Sequence, residues 1–377
     1  MYKTLIAFIG ILDKTQKELV KCLISQVYEN TDCTIVDFME NNLFGVNVPD
    51  GYKLSKPKQW QYGTWRQMCN RYKMFIRPYD NIIIIGTPLY VGDKFLSLEL
   101  LRKTSVKITK NPKIFIDNPS YRGIFERLVF VRGCIGKNVI QYCIDSREVD
   151  FSRVWKLEKY VRVGPVDFEG IKYFPMYEWA MKTTYCQPIQ KVKDIFFMGT
   201  ANDKYKRDLL TKFVDASRNK FGRKITYGTQ EAMKRPLLGV FEICGDGERL
   251  DIVSQQEYLY NLMLSRYTVI FPPYNQNCFN IVRFIEAVIC NCIPLVFQHE
   301  NLKWLKLTFP DIYTVIQKNN LIIKKTRTKI PEEWIWTRIR LQYQDGSVIE
   351  EIKSTKSFKN IVDRKYVNER LTSLLSG

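Results

Sequence analysis

The chain has 377 residues, 45% of them hydrophobic and 14% aromatic, enough to bury a proper core in roughly two domains and to exclude a disordered or collagenous chain. Lys and Arg number 58 against 39 Asp and Glu, a formal charge of +19 that favours a polyanionic partner, with nucleic acid the default and a membrane surface or sulfated glycan less favoured. The longest apolar runs, such as Asn81 to Gly92, are too short to cross a bilayer, so no membrane partner is expected.

The N-terminal "TLIAFIGIL" lacks a small-residue cleavage site and reads as a first strand, not a signal peptide. "TQKELVKCLISQVYEN" follows as a helix with Thr15 as its cap and Leu19, Cys22, Leu23 and Val27 as its apolar positions. "CTIVDF", "DNIIIIGTPLY" and "PKIFIDNP" are the next strands, and "NVIQYCIDS" and "EKYVRVGP" add two more. Strands alternating with helices imply an α/β fold with a parallel sheet covered on both faces. Ligands bind at the carboxyl ends of such strands, which singles out Gly10, Gly86, Asp117 and Asn118.

Between the second and third strands, Lys53 to Arg77 mixes Lys56, Lys58, Arg66, Arg71, Lys73 and Arg77 with Trp60, Tyr62, Trp65 and Tyr72. One reading is an amphipathic cover over the sheet. The other is a nucleic-acid surface, with cations on phosphates and aromatics stacked on bases. The global charge tilts the choice to the second.

The stretch Gly164 to Pro188 is irregular and aromatic, and is expected to connect two domains. A second αβ pattern then begins. "KDIFFMGT" is a strand, "NDKYKRDLLTKFVDAS" a helix, "KITYGT" a strand, "SQQEYLYNLMLSR" a helix and "YTVIFPP" a strand. In "FNIVRFIEAVICNCIPLVF", Ile281, Phe284, Ile285, Val288 and Ile289 recur at helical spacing. Arg283 and Glu286 lie three apart on a neighbouring face, off that stripe, where both can reach one ligand. Cys292, Ile293 and Pro294 break the helix before a buried strand. Beyond Pro310 the chain turns basic and helical, with a cationic run at Lys324, Lys325, Arg327 and Lys329.

The ten cysteines form no paired CxxC motif and read as reduced core residues of a cytoplasmic protein. The one histidine, His299, gives a zinc site little support and reads as a loop residue. General-base chemistry therefore falls to a carboxylate.

Two strand ends carry candidate chemistry. The turn at Gly199 and Thr200 opens a helix whose N–H groups suit phosphate, with Lys204, Lys206 and Arg207 nearby, although it is neither a Walker loop nor GxGxxG. The Glu286 carboxylate can accept from a ribose diol, and Arg283 can offset diphosphate charge. No Asp-x-Asp pair occurs in these segments, so a divalent cation has no ligand motif.

Here the sequence resembles the GT-B-fold glycosyltransferases, and most closely the phage DNA β-glucosyltransferases, which glucosylate hydroxymethylcytosine. "YDNIIIIGTPLYVGDKFLSLELL", "PKIFIDNP", "IKYFP", "DIFFMGTANDKYKRDLL" and "CFNIVRFIEAVICNCIPLVF" carry the resemblance in order along most of the chain. "EAVICNCIPLVF" is also similar to exostosin-like glycan transferases. The resemblance implies two Rossmann-like domains facing a central cleft. Residues 1–178 would take the acceptor, 179–345 would bind the nucleotide sugar, and 346–377 would be a helical segment packing back on the first domain.

It further implies that Glu286 holds the ribose and Arg283 a phosphate. Thr200 would bond the diphosphate, with Lys206 or Arg207 as a phosphate cation, while Asn202 stands where the family has a second phosphate arginine. Asp117 falls on the general base, and Glu18, on the first helix, on an acidic residue beside the sugar. The expected activity is transfer from a UDP-sugar to a flipped-out, modified base of double-stranded DNA, in the host cytoplasm if the protein is phage-encoded. Two other readings remain: an exostosin-like glycan or lipopolysaccharide transferase, and a non-catalytic nucleic-acid-binding protein on the same fold. The sugar, the anomer and the oligomeric state are open.

Overall fold

The computed structural model describes residues 2–10, 14–38, 53–54, 65–86, 90–91, 94–95, 119–143, 150–153, 155–164, 171–174, 190–200, 225–228, 238–243, 255–271, 279–324 and 346–377. The chain divides into two compact units, Met1–Glu178 with Arg364–Gly377, and Trp179–Asp363.

The first unit is built on strands β1 (Lys3–Phe8), β2 (Asp32–Asp37), β3 (Lys53–Leu54), β4 (Asn81–Ile85), β7 (Asn138–Tyr142), β8 (Lys159–Gly164) and β9 (Ile171–Tyr173), with β5 (Tyr90–Val91) and β6 (Lys94–Phe95) forming a separate hairpin. The seven pair in the order β3-β2-β1-β4-β7-β8-β9, every pair parallel. Parallel strands covered on both faces have no side left for polar residues. The run "NIIII" in β4 is accordingly buried at every position. Helices α1 (Lys14–Asn30), α2 (Trp65–Ile76) and α3 (Pro119–Gly133) belong to this unit. Helix α1 starts at Lys14, so Thr15 lies inside its first turn and is not the cap. Residues 171–173, expected in an irregular connection, form the edge strand β9. The expected strand at "PKIFIDNP" lies outside the described residues.

Helix α2 shows how the basic insertion is anchored. Met68, Cys69, Tyr72 and Ile76 are buried in one cluster with Val129, Phe130 and Cys134 of the α3 region. The Tyr72 hydroxyl donates to Glu126 Oε1 at 2.7 Å. Tyr72 is thus a core residue and not a base-stacking platform, which corrects the expectation from its sequence context. Its period-3.6 partners bury it before any nucleic acid can reach it.

The C-terminal helix, Arg364–Leu375, packs on α1 and the amino end of β7. Arg364 pairs with Glu29 at 2.5 Å, and Asn138 Nδ2 donates to the Leu374 carbonyl at 2.9 Å.

The second unit contains β10 (Lys193–Thr200), β11 (Ile225–Gly228), β12 (Leu238–Ile243), β13 (Ser265–Ile270), β14 (Ile293–Phe297) and β15 (Ile322–Ile323). Their order is β11-β12-β10-β13-β14-β15. Strands β10, β13, β14 and β15 run parallel, but β12 is antiparallel to both neighbours. The sheet is therefore mixed, which the second αβ pattern of the sequence does not reveal. Its described helices are α4 (Gln255–Leu264), α5 (Ile281–Ile289), α6 (Asn301–Thr308), α7 (Pro310–Lys318), α8 (Ser347–Ser354) and α9 (Lys356–Val362), and the C-terminal helix is α10.

The turn from α5 into β14 differs from the expected break. The helix ends at Ile289 with Cys290 as its cap, and Asn291 takes a left-handed φ of 52°. Asparagine tolerates that conformation better than most residues. Ile293 and Pro294 already belong to β14.

Among the described residues, Cys33, Cys69, Cys134, Cys143, Cys290 and Cys292 are buried and form no disulfide. Burial pushes the Cys33 and Cys292 thiols up to about 12, so they stay protonated and inert. No helix there is long and apolar enough to cross a membrane.

Candidate functional site

An open parallel sheet binds ligands where its strand order reverses, outside the carboxyl ends of the strands. The second sheet reverses between β10 and β13, since the chain leaves β10 toward β11 and β12 on one side and returns to β13 on the other. Gly199 and Thr200 close β10 at that edge, where their pairing partners are Gly239 and Leu238 of β12. Helix α5 follows β13 and so begins at the same edge. Topology thus brings the Gly199–Thr200 strand end and the Arg283–Glu286 helix start to one switch point.

Helix α5 forms because its apolar residues fill nearly every position and Asn280 caps it, its side chain accepting from the Arg283 N–H at 3.4 Å. Phe279 and Phe284 pack edge to face, 5.7 Å between centroids, fixing the entry angle. Seven of its nine residues are buried, Glu286 among them. Glu286 is 1% exposed, so it does not lie off the buried face as the sequence spacing suggested.

What makes this burial tolerable is Arg283. Its Nη1 donates to Glu286 Oε2 at 2.9 Å, and its side chain remains 29% exposed. A buried carboxylate is costly unless paired and hydrogen-bonded. On the other side, the Arg283 guanidinium lies over the Tyr258 ring, 4.3 Å from its centroid. Burial opposes the Arg283 charge, but Glu286 and Tyr258 outweigh it and hold the guanidinium more firmly protonated than usual. Burial likewise pushes the Tyr258 hydroxyl up, beyond any titration near neutrality. The site therefore presents a fixed cation, backed by an enclosed carboxylate and an aromatic plate. Such a cation suits a phosphate.

Sequence reasoning missed Tyr258. It sits on α4, 25 positions before Arg283, and reads there as one more core aromatic. Only the packing of α4 against α5 reveals its contact.

The first sheet reverses between β1 and β4. Gly10 and Gly86, singled out as strand-end glycines, meet at this point. Gly86 has φ +75°, and a Cβ on it would stand 3.0 Å from Gly10 Cα. Only glycine combines that dihedral with that approach. Arg127 on α3, also missed in the sequence, is 9% exposed and donates from Nη1 to the Ile9 carbonyl at 3.0 Å. Burial pulls its pKa down to about 10.

Other candidates divide as follows. Glu18 and Arg66 lie on α1 and α2, where only their backbone is described, and Arg71 is exposed on α2. Asp117, Asn118, Lys56, Lys58, Lys204, Lys206 and Arg207 lie outside the described residues, as do Lys325, Arg327 and Lys329, while Lys324 is exposed. His299 opens the turn into α6, its Nδ1 accepting from the Asn301 N–H at 3.3 Å, which is a structural role. Among the described residues, no group of three or more His, Cys, Asp or Glu could hold a metal ion.

The two switch-point sheets define an α/β protein with the GT-B fold of glycosyltransferases. Among solved structures, the DNA-modifying enzyme β-glucosyltransferase, determined with and without uridine diphosphoglucose, matches over 100% of both chains at a TM-score of 0.51 and 9% sequence identity. Looser likenesses include a UDP-glucosyltransferase from Polygonum tinctorium that glucosylates indoxyl (TM-score 0.43, 9% identity, 100% of this chain and 99% of that one). WaaG, a glycosyltransferase involved in lipopolysaccharide biosynthesis, matches at a TM-score of 0.40 and 9% identity, over 99% of this chain and 100% of its own. No protein-family model matches the sequence, and no curated protein does.

Proposed function

We propose that the protein is a UDP-sugar-dependent glycosyltransferase that modifies DNA. It would move a sugar to a hydroxymethylated, or already glycosylated, pyrimidine base. The observation that carries this reading is the Arg283–Glu286 pair at the switch point of the second sheet. A firmly protonated, partly exposed arginine there suits a nucleoside diphosphate, and the fold is one that such donors use. The DNA acceptor rests on the charge of +19, which a small neutral acceptor does not call for.

In this reading the second unit binds the donor. Arg283 and the N–H groups following Gly199 and Thr200 offset the diphosphate charge, with Lys206 or Arg207 adding to it. The ribose falls to Glu286, whose carboxylate Arg283 already holds in place. The first unit receives the acceptor. Asp117 takes the proton of the base's hydroxymethyl group. The freed oxygen attacks the anomeric carbon, forming the new C–O bond as the bond to the diphosphate breaks. UDP leaves with the electron pair, and configuration inverts. Glu18 lies beside the sugar. Lys56, Lys58, Arg66 and Arg71 contact DNA phosphates, and the target base is turned out of the duplex stack.

The test follows UDP release from UDP-sugars, with and without magnesium, on three acceptors: hydroxymethylated duplex, plain duplex and lipopolysaccharide core. Release on the hydroxymethylated duplex alone supports the reading. Release on the glycan acceptor alone makes the protein a glycan transferase. Tight DNA binding with no release on any acceptor makes it a non-catalytic nucleic-acid-binding protein.

A further inference from the structure

The chain enters the second sheet beside the C-terminal ends of two helices. Lys191 lies two residues ahead of β10, and its Nζ donates to the Met263 carbonyl at 2.7 Å and to the Cys290 carbonyl at 3.1 Å. Met263 is in the last turn of α4, and Cys290 is the C-cap of α5. Such carbonyls have no partner within their own helix and carry the negative end of its dipole. One ammonium thus satisfies both helix ends at once. The next two residues hold α4 alone: the Val192 N–H donates to the Leu264 carbonyl at 2.9 Å, and Lys193 Nζ to Asn261 Oδ1 at 2.8 Å. Burial opposes the Lys191 charge and pulls its pKa down, a cost that a lysine serving solubility does not carry.

Cys290 links this clamp to the Arg283–Glu286 pair. Its N–H donates to the Glu286 carbonyl at 3.0 Å, and its Sγ donates to the carbonyl of Leu259, the neighbour of Tyr258 on α4, at 3.7 Å. Tyr258, Ala287 and Cys290 share one buried cluster. Met263 stands five residues from Tyr258 and Cys290 four from Glu286. At the rise of an α-helix these are about 7.5 Å and about 6 Å. Helices of ten and nine residues are held by packing more than by their own propensity, so a shift at one end is felt at the other.

We infer that Lys191 is a positioning residue of the donor site, fixing the spacing of α4 and α5 so that the Tyr258 ring stays against the Arg283 guanidinium. This rests on the reading of Arg283 and Glu286 as a nucleoside-diphosphate site. Lys191 acts through Met263 and Cys290, not on the ligand. Without its ammonium the two carbonyls lose their shared donor, the helix ends part to admit water, and Tyr258 moves with α4. Methionine at this position keeps the stem and gives no donor, whereas arginine keeps a cation with donors for two carbonyls. Lys353 supplies the comparison. It is a second cation at the same end of α5, but its Nζ donates to Asn291 Oδ1 at 2.6 Å and to Glu350 Oε1 at 3.1 Å, joining α5 to α8 and not to α4.

The experiment titrates the full chain with UDP by calorimetry, at a temperature where melting curves show every variant folded. Lys191→Met is expected to bind UDP about tenfold more weakly than wild type. Lys191→Arg should stay within about threefold of wild type, and Lys353→Met within about twofold. In a double-mutant cycle with Tyr258→Leu, Lys191→Met should cost less than about threefold once Tyr258 is gone, because its effect passes through that ring. Hydrogen exchange without UDP reads the clamp by itself, and the α4 and α5 amides should exchange at least about tenfold faster in Lys191→Met. Unchanged UDP affinity in folded Lys191→Met, an arginine variant as weak as the methionine one, an equal loss in Lys353→Met, or effects of Lys191→Met and Tyr258→Leu that multiply in full would overturn the inference. A wild type that binds no UDP would instead defeat the donor reading. Faster exchange in Lys191→Met would then still establish the clamp, and unchanged exchange would overturn it.

Discussion

Arg283 Nη1 lies 2.9 Å from Glu286 Oε2, and the two side chains differ sharply in exposure, at 29% and 1%. The carboxylate is inside and the guanidinium bridges it to the surface. Removing either one takes from the other its ion-pair partner.

Glu286→Ala should therefore cost both fold stability and donor affinity. The arginine left behind keeps some water and its Tyr258 contact, so the expected loss is about 1.5–3 kcal/mol, below that of a fully buried pair. Glu286→Gln keeps the volume and one acceptor, and should recover stability better than it recovers UDP affinity. Urea denaturation and UDP titration calorimetry on both variants read the two effects. Unchanged UDP affinity in a folded Glu286→Ala variant would remove Glu286 from the site.

Tyr258 is the plate under that arginine. Tyr258→Phe keeps the ring, and UDP affinity should stay close to wild type. Tyr258→Leu removes the π face and should weaken UDP binding by about 0.5–2 kcal/mol. Equal affinities for the two variants would show that the ring contributes packing alone.

Much of this fold is legible in the sequence, for reasons that differ by element. The "NIIII" run of β4 has one physical reading, a strand buried on both faces, and is one. The α5–β14 unit has its apolar period in plain view, but its break falls at Cys290 and Asn291, ahead of the residues that suggest it in the sequence. Strand β12 escapes a sequence reading because "LGVFEI" carries no mark of direction, and its antiparallel course is a property of the sheet it joins. The burial of Glu286 is hidden because an Arg and a Glu three apart on a helix usually face water. Here a tyrosine from another helix closes over them, and local spacing holds no record of that. Tyr72 is hidden in the same way, its role being fixed by Glu126, 54 residues on.

Gly86 tests the switch point of the first sheet. Gly86→Ala adds a Cβ 3.0 Å from the Gly10 backbone at φ +75°, so both the dihedral and the contact oppose it. The expected destabilisation is about 1–3 kcal/mol, read as a lowered melting temperature. A melting temperature equal to wild type would mean that the strand ends separate freely.

Asp311 gives a pH signature in the second unit. Burial raises its pKa, but hydrogen bonds from Ser357, including Ser357 N–H to Oδ2 at 2.8 Å, and from the Ile312 N–H outweigh that and leave it lowered. A carboxylate with a lowered folded pKa stabilises fully above its unfolded value, about 3.9, and loses that contribution as pH falls through the folded value. Wild type should therefore exceed Asp311→Asn in urea midpoint at pH 6, with the gap closing as the pH falls below the unfolded value and through the folded one. A gap that is constant with pH would assign the effect to packing.

The central claim is a covalent change in DNA, and the most direct measurement is the mass of that product. Hydroxymethylcytosine-containing duplex is incubated with the protein and a panel of UDP-sugars, digested to nucleosides and weighed by mass spectrometry. The account predicts a nucleoside heavier by one sugar residue for one member of the panel, and a yield reduced at least about 100-fold in Asp117→Asn. Unmodified nucleosides with every donor, from protein that binds UDP normally, would contradict it.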